Sequence, residues 1–339
     1  MPNRIQILPE HIRNRIAAGE VIQRPASVVK ELVENALDAD ADRIQINIEE
    51  GGSKKIEIFD NGAGMPPEEL PLAVSPHATS KIIDPEDIDR INTFGFRGEA
   101  LASIGSVSRL TITSNTGDAE GCSITVRGPE VSEVRPEAAP KGTRVTVATL
   151  FWNTPARRKF LKTVKTEFMH IKELVVRYAC AHPQIHWLLT HNSREILSLP
   201  CTDDLRSRLR EILPGEMAAN LLEVRSRDAL FTLSGFVSSP EYTTGSRERL
   251  YIYVNHRPVY NKMIQHALHQ AFRDLIPERR YPGAVLFIEL PPEQVDVNVH
   301  PAKTEVRFTA SSHIHSAIVR TVRKTLIPET SGSPDRHSP

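Results

Sequence analysis

Apolar residues recur along this chain with two different periods. Val28, Val29, Leu32, Val33 and Ala36 fall at helical spacing and predict a helix with one buried stripe. Pro25 lies just ahead of that stripe, and Ser27 is the expected N-cap. Residues 43–60 change to strict alternation: Ile44, Ile46 and Ile48, a Gly51-Gly52 turn, then Ile56 and Ile58. This is the pattern of a hairpin with one apolar face. "GEALASIGSV" predicts another helix, and "SRLTITSNT", "GCSITVRG" and "GTRVTVATL" predict three more strands. Residues 10–19 predict a short helix ending at Gly19. "FWNTPARRKFLKTVKTEFMHIKELVVRYACAHP" reads as one helical stretch closed by Pro183, followed by a strand in "IHWLLTHN".

Composition shifts in "LPCTDDLRSRLREILPGE", a connection carrying a short helix, and the expected domain boundary lies near residue 205. Strands follow in "LFTLSGFVS" and "RLYIYVNHRPV", then a helix in "KMIQHALHQAFRDLI". Its buried stripe is Met263, Ile264, Ala267, Leu268, Ala271 and Leu275. "GAVLFIEL", "VDVNVH" and "TEVRF" predict strands, and "HIHSAIVRTVRKTLI" a last helix. The tail "PETSGSPDRHSP" has no apolar period and reads as the start of a linker. Helices beside mostly antiparallel strands make an α+β class. The expected division is 1–205, 206–328 and a linker from 329 to 339.

Length agrees with two domains: 339 residues, at roughly 100–200 per domain. Lys+Arg and Asp+Glu both number 42, so overall charge draws the chain to neither nucleic acid nor membrane. Cys122, Cys180 and Cys201 are too few for a disulfide framework, and no stretch has the length and apolarity of a signal peptide or membrane span. The expected compartment is the cytoplasm, without membrane contact.

The first helix has an odd polar face. Glu31, Asn35 and Asp38 stand at i, i+4 and i+7, and Lys30 lies about 100° away around the helix, where it need not neutralise Glu31. "DNGAGM" then places Asp60 at a strand end beside Gly62 and Gly64, a carboxylate next to backbone that a ligand can approach. In "FGFRGEAL", Gly95 and Gly98 flank Arg97 just before a helix, freeing backbone N–H groups for an anion. "HATSKI" carries the small hydroxyls and the lysine of a lid. P-loop, zinc-protease and Cys-x-x-Cys motifs are missing. Cys180, His182, His186, His191 and Cys201 lie near one another, but their spacing fits no zinc pattern, and alternation along a strand keeps the histidines from converging.

Taken in order, Glu-x-x-x-Asn on a helix, Asp-x-Gly-x-Gly after a strand, a glycine turn opening a helix and "KGTRVTV" resemble the GHKL superfamily of ATPases. Within it, "IAAGEVIQRPASVVKELVENALDA", "FGFRGEALASI", "FWNTPARRKFL" and "VDVNVHPAKTEVRF" are similar to the MutL family of DNA mismatch repair proteins, from about residue 3 to about 327. The resemblance implies a GHKL (Bergerat) ATP-binding sandwich followed by a ribosomal protein S5 domain 2-like unit. It implies ATP and Mg2+ as cofactors. Glu31 would be the general base, Asn35 the Mg2+ ligand, and Asp60 the acceptor for the adenine amino group, supported by Thr143. Gly64 would let the backbone approach the base. Gly95, Phe96, Arg97 and Gly98 would meet the phosphates, Thr79 and Ser80 would belong to the lid, and Lys303 would reach the γ-phosphate.

The same resemblance implies a weak Mg-dependent ATPase without nuclease, homodimerising on ATP binding into a DNA clamp. Its partners would be a mismatch-recognition protein, a strand-nicking endonuclease and a helicase. The alternative is a nucleotide-gated scaffold with negligible turnover. For DNA, residues 157–177 carry a local charge of +5, with Arg157, Arg158 and Lys159 leading. Arg279, Arg280, Arg320, Arg323 and Lys324 add cations in the second half. Such charges neutralise phosphates without reading sequence, and the binding falls with salt. In "HALHQAF" the helix offers His266 and His269 in place of strong cations, which makes its share pH-dependent.

Overall fold

The structure, a computed structural model, describes residues 9, 18–19, 21–79, 94, 98–118, 120–296 and 306–327. The chain divides into two compact units, Met1–Glu211 and Ile212–Pro339.

In the first unit, helix α1 (Pro25–Asp38) begins one turn earlier than Ser27 would place it. Proline has no N–H to satisfy and its φ suits the first helical position, so Pro25 opens the helix and Arg24 is the N-cap. Val28, Val29, Leu32, Val33 and Ala36 are all buried, as their spacing predicts. Strands β1 (Arg43–Glu49) and β2 (Lys55–Asp60) form the expected antiparallel hairpin. After the short α2 (Leu70–Ala73) come α3 (Ala100–Val107), β3 (Arg109–Asn115), β4 (Cys122–Arg127), the two-residue β5 (Glu130–Val131) and β6 (Arg135–Pro136), and β7 (Gly142–Ala148).

The long helical stretch expected before Pro183 is two helices, α4 (Pro155–Phe160) and α5 (Val164–Ala181). The break comes at Leu161, whose backbone is extended. Thr163 then accepts from the Thr166 N–H at 3.2 Å and restarts the helix. β8 (His186–His191) and a strand the periodicity did not announce, β9 (Arg194–Leu199), complete the sheet.

Among the described residues, nine strands form one sheet in the order β5-β4-β3-β7-β2-β1-β8-β9, with β6 beside β4. Only β1 and β8 run parallel within it. The covered face lies under helices: α1 packs on β2 and on α5, α5 on β8, and α3 on β3 and β4. The opposite face of β1, β2 and β8 is a polar ladder. Asn47 donates to Glu57 at 2.9 Å and accepts from Thr190 at 2.9 Å.

Helix α6 (Leu205–Ile212) is bound to the first unit by Arg208. Its guanidinium is fully buried and donates to the carbonyls of Pro183, Ile185 and Pro200 at 2.7, 3.1 and 2.6 Å. All three carbonyls, which converge from two loops, meet at Nη2, while Nη1 pairs with Glu211 at 3.2 Å. The first compact unit accordingly includes Arg208 and extends to Glu211.

The second unit opens with α7 (Gly215–Ala219), then β10 (Leu221–Arg227), β11 (Thr232–Ser238), β12 (Leu250–Val254), β13 (Arg257–Pro258), α8 (Lys262–Ala271), β14 (Ala284–Glu289), β15 (Val295–Asp296), β16 (Arg307–Phe308) and α9 (Ser311–Leu326). Its larger sheet runs β10-β11-β14-β12-β13. α8 and α9 pack together over a core that includes Leu233, Ile252, Leu286, Ile264, Leu268, Ile314 and Ile318. α8 stops at Ala271, short of Ile276. Asp274 takes a left-handed φ of 68° and turns the chain back, leaving Leu275 only half-buried.

Replacing Arg208 by Met leaves three carbonyls without their donor. Each buried unmet acceptor costs about 1–3 kcal/mol, so the urea midpoint of the first unit falls clearly. An unchanged midpoint in Arg208→Met would contradict this account of the unit's edge.

Candidate functional site

The strand registers align three rungs across the covered face. One is Leu189, Ile46, Ile58, Val145, Ile112 and Ile124, entirely aliphatic; the next, Ile48, Ile56, Val147, Leu110 and Val126, is aliphatic too. The end rung differs: Trp187, Ile44, Asp60, Thr143, Ser114 and Cys122. Its three central groups are polar and buried. Ser114 donates to the Gly142 carbonyl at 3.1 Å and accepts from the Met65 N–H at 2.8 Å. Its hydroxyl proton is thereby used, so in its 2.9 Å contact with Thr143 the threonine donates. Asp60 Oδ1 accepts from the Gly62 N–H at 3.0 Å.

Burial pushes the Asp60 carboxyl up to about 6, while the backbone N–H groups of Gly62 and Thr143 pull the other way. A buried carboxylate with acceptor capacity to spare suits a ligand's N–H donor. The sequence singled out Asp60 and Thr143 but not Ser114, which the strand register sets beside them. The alternation Leu110, Ile112, Ser114 held the signal, since it puts the serine on the apolar face.

α1 supplies the wall beside this rung. The Ala63 N–H donates to the Ala39 carbonyl at 2.9 Å, tying the loop after Asp60 to the end of the helix that carries Asn35 and Asp38. Asp38 accepts from the Phe94 N–H at 2.9 Å, which brings the approach to "FGFRGEAL" against the same helix. The expectation for Lys30 fails. Its Nζ lies 3.1 Å from Glu31 Oε1 and 2.9 Å from Glu34 Oε2. A four-carbon stem spans the angle that separates neighbouring positions on a helix, so spacing alone does not keep the two apart. Glu34, overlooked in the sequence, is buried between Lys30 and the Tyr178 hydroxyl, which donates to it at 2.6 Å.

Two glycines are required by close approach. Gly64 has φ +73°, and a Cβ there would stand 2.2 Å from the Asn115 carbonyl oxygen. Gly98 has φ +61°, and its Cβ would stand 2.4 Å from the Ala78 oxygen, so the start of α3 presses on the "HATS" segment. His77 and Glu99 meet beside it at 3.2 Å. Thr79 is exposed. Ser80, Gly95, Phe96, Arg97 and Lys303 lie outside the described residues.

The basic candidates separate. Arg158 and Lys159 are exposed on α4, whereas the Arg157 guanidinium lies against Gly19, where a Cβ would otherwise sit. In the second unit Arg279 is exposed, and Arg280 donates to the Thr243 hydroxyl and carbonyl at 2.9 and 2.6 Å. His266 and His315 share a 3.0 Å contact between α8 and α9. Among the described residues, no three His, Cys, Asp or Glu side chains group as metal ligands, and no helix is long and apolar enough to cross a membrane.

Comparison with known proteins fits this geometry. Residues 23–145 match the family described as histidine kinase-, DNA gyrase B- and HSP90-like ATPase, and residues 209–327 match the DNA mismatch repair protein C-terminal domain. The chain is 50% identical over 329 residues to the DNA mismatch repair protein MutL of Actinobacillus succinogenes, covering 95% of this chain and 52% of that protein. It is 48% identical over 332 residues to MutL of Xanthomonas campestris, covering 97% and 53%. The chain thus spans about half the length of the curated relatives it matches.

Among solved structures, the N-terminal domain of a DNA repair protein superposes with a TM-score of 0.80 at 26% identity, over 92% of this chain and 97% of that one. The Aquifex aeolicus MutL ATPase domain complexed with ADP gives 0.60 at 32% identity, over 80% and 94%. The first unit accordingly has the GHKL fold and the second the S5-like fold. By these matches the chain belongs to the MutL family of DNA mismatch repair proteins.

Proposed function

We propose that this chain binds ATP with Mg2+, hydrolyses it slowly, and pairs with a second copy when ATP is bound. In that reading it couples mismatch recognition to strand nicking and unwinding by partner proteins. The observation that carries it is the polar rung Asp60–Thr143–Ser114 at the end of an aliphatic sheet, with its loop tied to the helix of Glu31 and Asn35. The ADP complex of the Aquifex aeolicus domain supports a nucleotide as the ligand.

Asp60 accepts from the adenine amino group, and the Thr143 hydroxyl supports it. Guanine would set a carbonyl against a carboxylate, leaving a buried acceptor unpaired. Glu31 polarises the attacking water, and Lys303 meets the γ-phosphate. Gly64 brings backbone close to the base; Gly95, Phe96, Arg97 and Gly98 face the phosphates, and Thr79 and Ser80 belong to the lid. The donor chemistry fits magnesium: Asn35, one turn beyond Glu31 on α1, offers a hard amide oxygen. Bound there, the ion would offset phosphate charge.

DNA contacts fall to the exposed Arg158, Lys159 and Arg279, since Arg157 and Arg280 already have protein partners. Strand cleavage is assigned to a partner endonuclease, and the site of action is the cytoplasm. The second reading, a nucleotide-gated scaffold with negligible turnover, is favoured by the Lys30–Glu31 contact, which partly occupies the base.

Glu31→Ala separates the two. On the hydrolysing reading it lowers turnover by about a hundredfold or more while nucleotide affinity holds. Light scattering with a non-hydrolysable ATP analogue and magnesium then shows a dimer; a monomer at high protein concentration would end the clamp model. Full partner activation by Glu31→Ala would favour the scaffold.

Asp60→Asn makes a sharper pair of expectations. Its amide turns a donor toward the adenine amino group, and ATP affinity drops about 10–100-fold. Stability moves the other way. The folded carboxyl lies near 6, above the unfolded value, so its favourable share is full below about pH 4 and is lost as pH rises through 6. Above that pH the ionised group burdens the nucleotide-free protein by roughly 3 kcal/mol. Asp60→Asn therefore raises Tm at pH 7.5 and flattens the decline between pH 4 and 6. A lower Tm at pH 7.5 would contradict the buried-carboxylate account.

A further inference from the structure

Behind Glu31 the chain sets three more polar groups in line. Lys30 Nζ donates to Glu31 at 3.1 Å and to Glu34 at 2.9 Å. The Tyr178 hydroxyl, from α5, donates to the other Glu34 oxygen at 2.6 Å. Glu34 is 5% exposed, so its charge must be met within the protein, and Lys30 and Tyr178 meet it. The Tyr178 ring packs edge-on against Phe94, centroids 6.2 Å apart, and Phe94 directly precedes Gly95. Contacts thus run from the edge of the glycine turn through Tyr178, Glu34 and Lys30 to Glu31.

Two carboxylates here share one ammonium. Burial alone would push Lys30 down; Glu34 first and Glu31 second hold it above its ordinary value, so it is charged at neutral pH. From α5, Tyr178 reaches Glu34 and His182 packs on Phe94 at 5.7 Å; β2, which also packs on α1, brings Asp60 on its covered face. An ammonium resting wholly on Glu31 would occupy the lone pair and offset the charge that a general base uses. Shared with Glu34, it leaves part of both.

We propose that Glu34 and Tyr178 are positioning residues for Glu31: Tyr178 fixes Glu34, Glu34 draws Lys30, and the share of Lys30 left on Glu31 sets its action on water. The proposal rests on Glu31 being the base. It gives α5 and the edge of the glycine turn a physical hold on hydrolysis without either touching the nucleotide's reacting atoms. Tyr178 and Glu34 lie 144 residues apart in the chain, so the hold exists only in the folded unit.

The test is the pH profile of steady-state ATP hydrolysis for Glu34→Gln and Tyr178→Phe in the full chain. Glu34→Gln releases Lys30 to Glu31, so kcat falls about tenfold with KM for ATP within about twofold, and the acid limb moves to lower pH. Tyr178→Phe moves both in the same direction by a smaller factor, about threefold, and carries the test if Glu34→Gln does not fold. In a Lys30→Met background, Glu34→Gln has no further effect, because the route through Lys30 is gone.

Equal losses from Glu34→Gln with and without Lys30 overturn the proposal. So do kcat and KM changing together with an unmoved acid limb. Glu31→Gln tells this failure from that of the base reading: if it still hydrolyses ATP at the wild-type rate, Glu31 is not the base and both readings fall. If it is inactive while Glu34→Gln and Tyr178→Phe match wild type, only the positioning role falls.

Discussion

A carboxylate on the covered face of a sheet is unfavourable unless something answers it, and Asp60 sits on such a face with only backbone N–H groups in attendance. The rest of the first unit is arranged around that placement. Two aliphatic rungs hold the sheet together on either side of β2, so the polar rung is confined to one end. Ser114 and Thr143 spend their hydrogen bonds on each other and on backbone, which fixes the rung's shape without neutralising the acid. A side chain held up to about 6 by burial is one that a ligand's donor can relieve.

The helix beside it is positioned by both faces of its own chemistry. Its apolar stripe, from Val28 to Ala36, locks it onto the sheet and α5. Its end is bonded to the loop that follows Asp60, through Ala39 and Ala63. Sliding the helix would break that bond and uncover the stripe together. The residues on its remaining face, Glu31 and Asn35, are thereby held in fixed relation to Asp60 although the sequence separates them by 29 and 25 positions. Phe94 joins the same assembly through its N–H bond to Asp38, and Gly98 presses on the Ala78 backbone. Rigid elements carry these groups, and short loops join them, so their relative geometry is set by the packing of helix on sheet.

The second unit stands on a different economy. Its core is almost wholly aliphatic and aromatic, with Tyr253 stacked on Phe287 at 4.7 Å and two helices covering the other side. Chemistry is left to its rim. There the arginines divide into those held by protein groups, such as Arg280 on Thr243, and those left to solvent, such as Arg279. A tally of basic residues cannot make that distinction. Arg157 repeats the lesson in the first unit, where its guanidinium packs on Gly19.

What the sequence determined by itself was whatever depends on period and turn chemistry. The hairpin of Ile44 to Ile58, the stripe of α1, and the placement of Asp60 at a strand end beside glycines all follow from local rules, because a strand's faces alternate and a helix repeats every 3.6 residues. Strand β9 escaped those rules because its residues show no clear alternation, and the break at Leu161 because no proline or glycine marks it. Only the tertiary structure decided which charges meet. Lys30 turned to Glu31 and Glu34, Tyr178 came from across the unit to complete them, and Arg208 gathered three carbonyls from two loops. Long side chains reach further than spacing records, and a buried charge takes the partner that folding delivers.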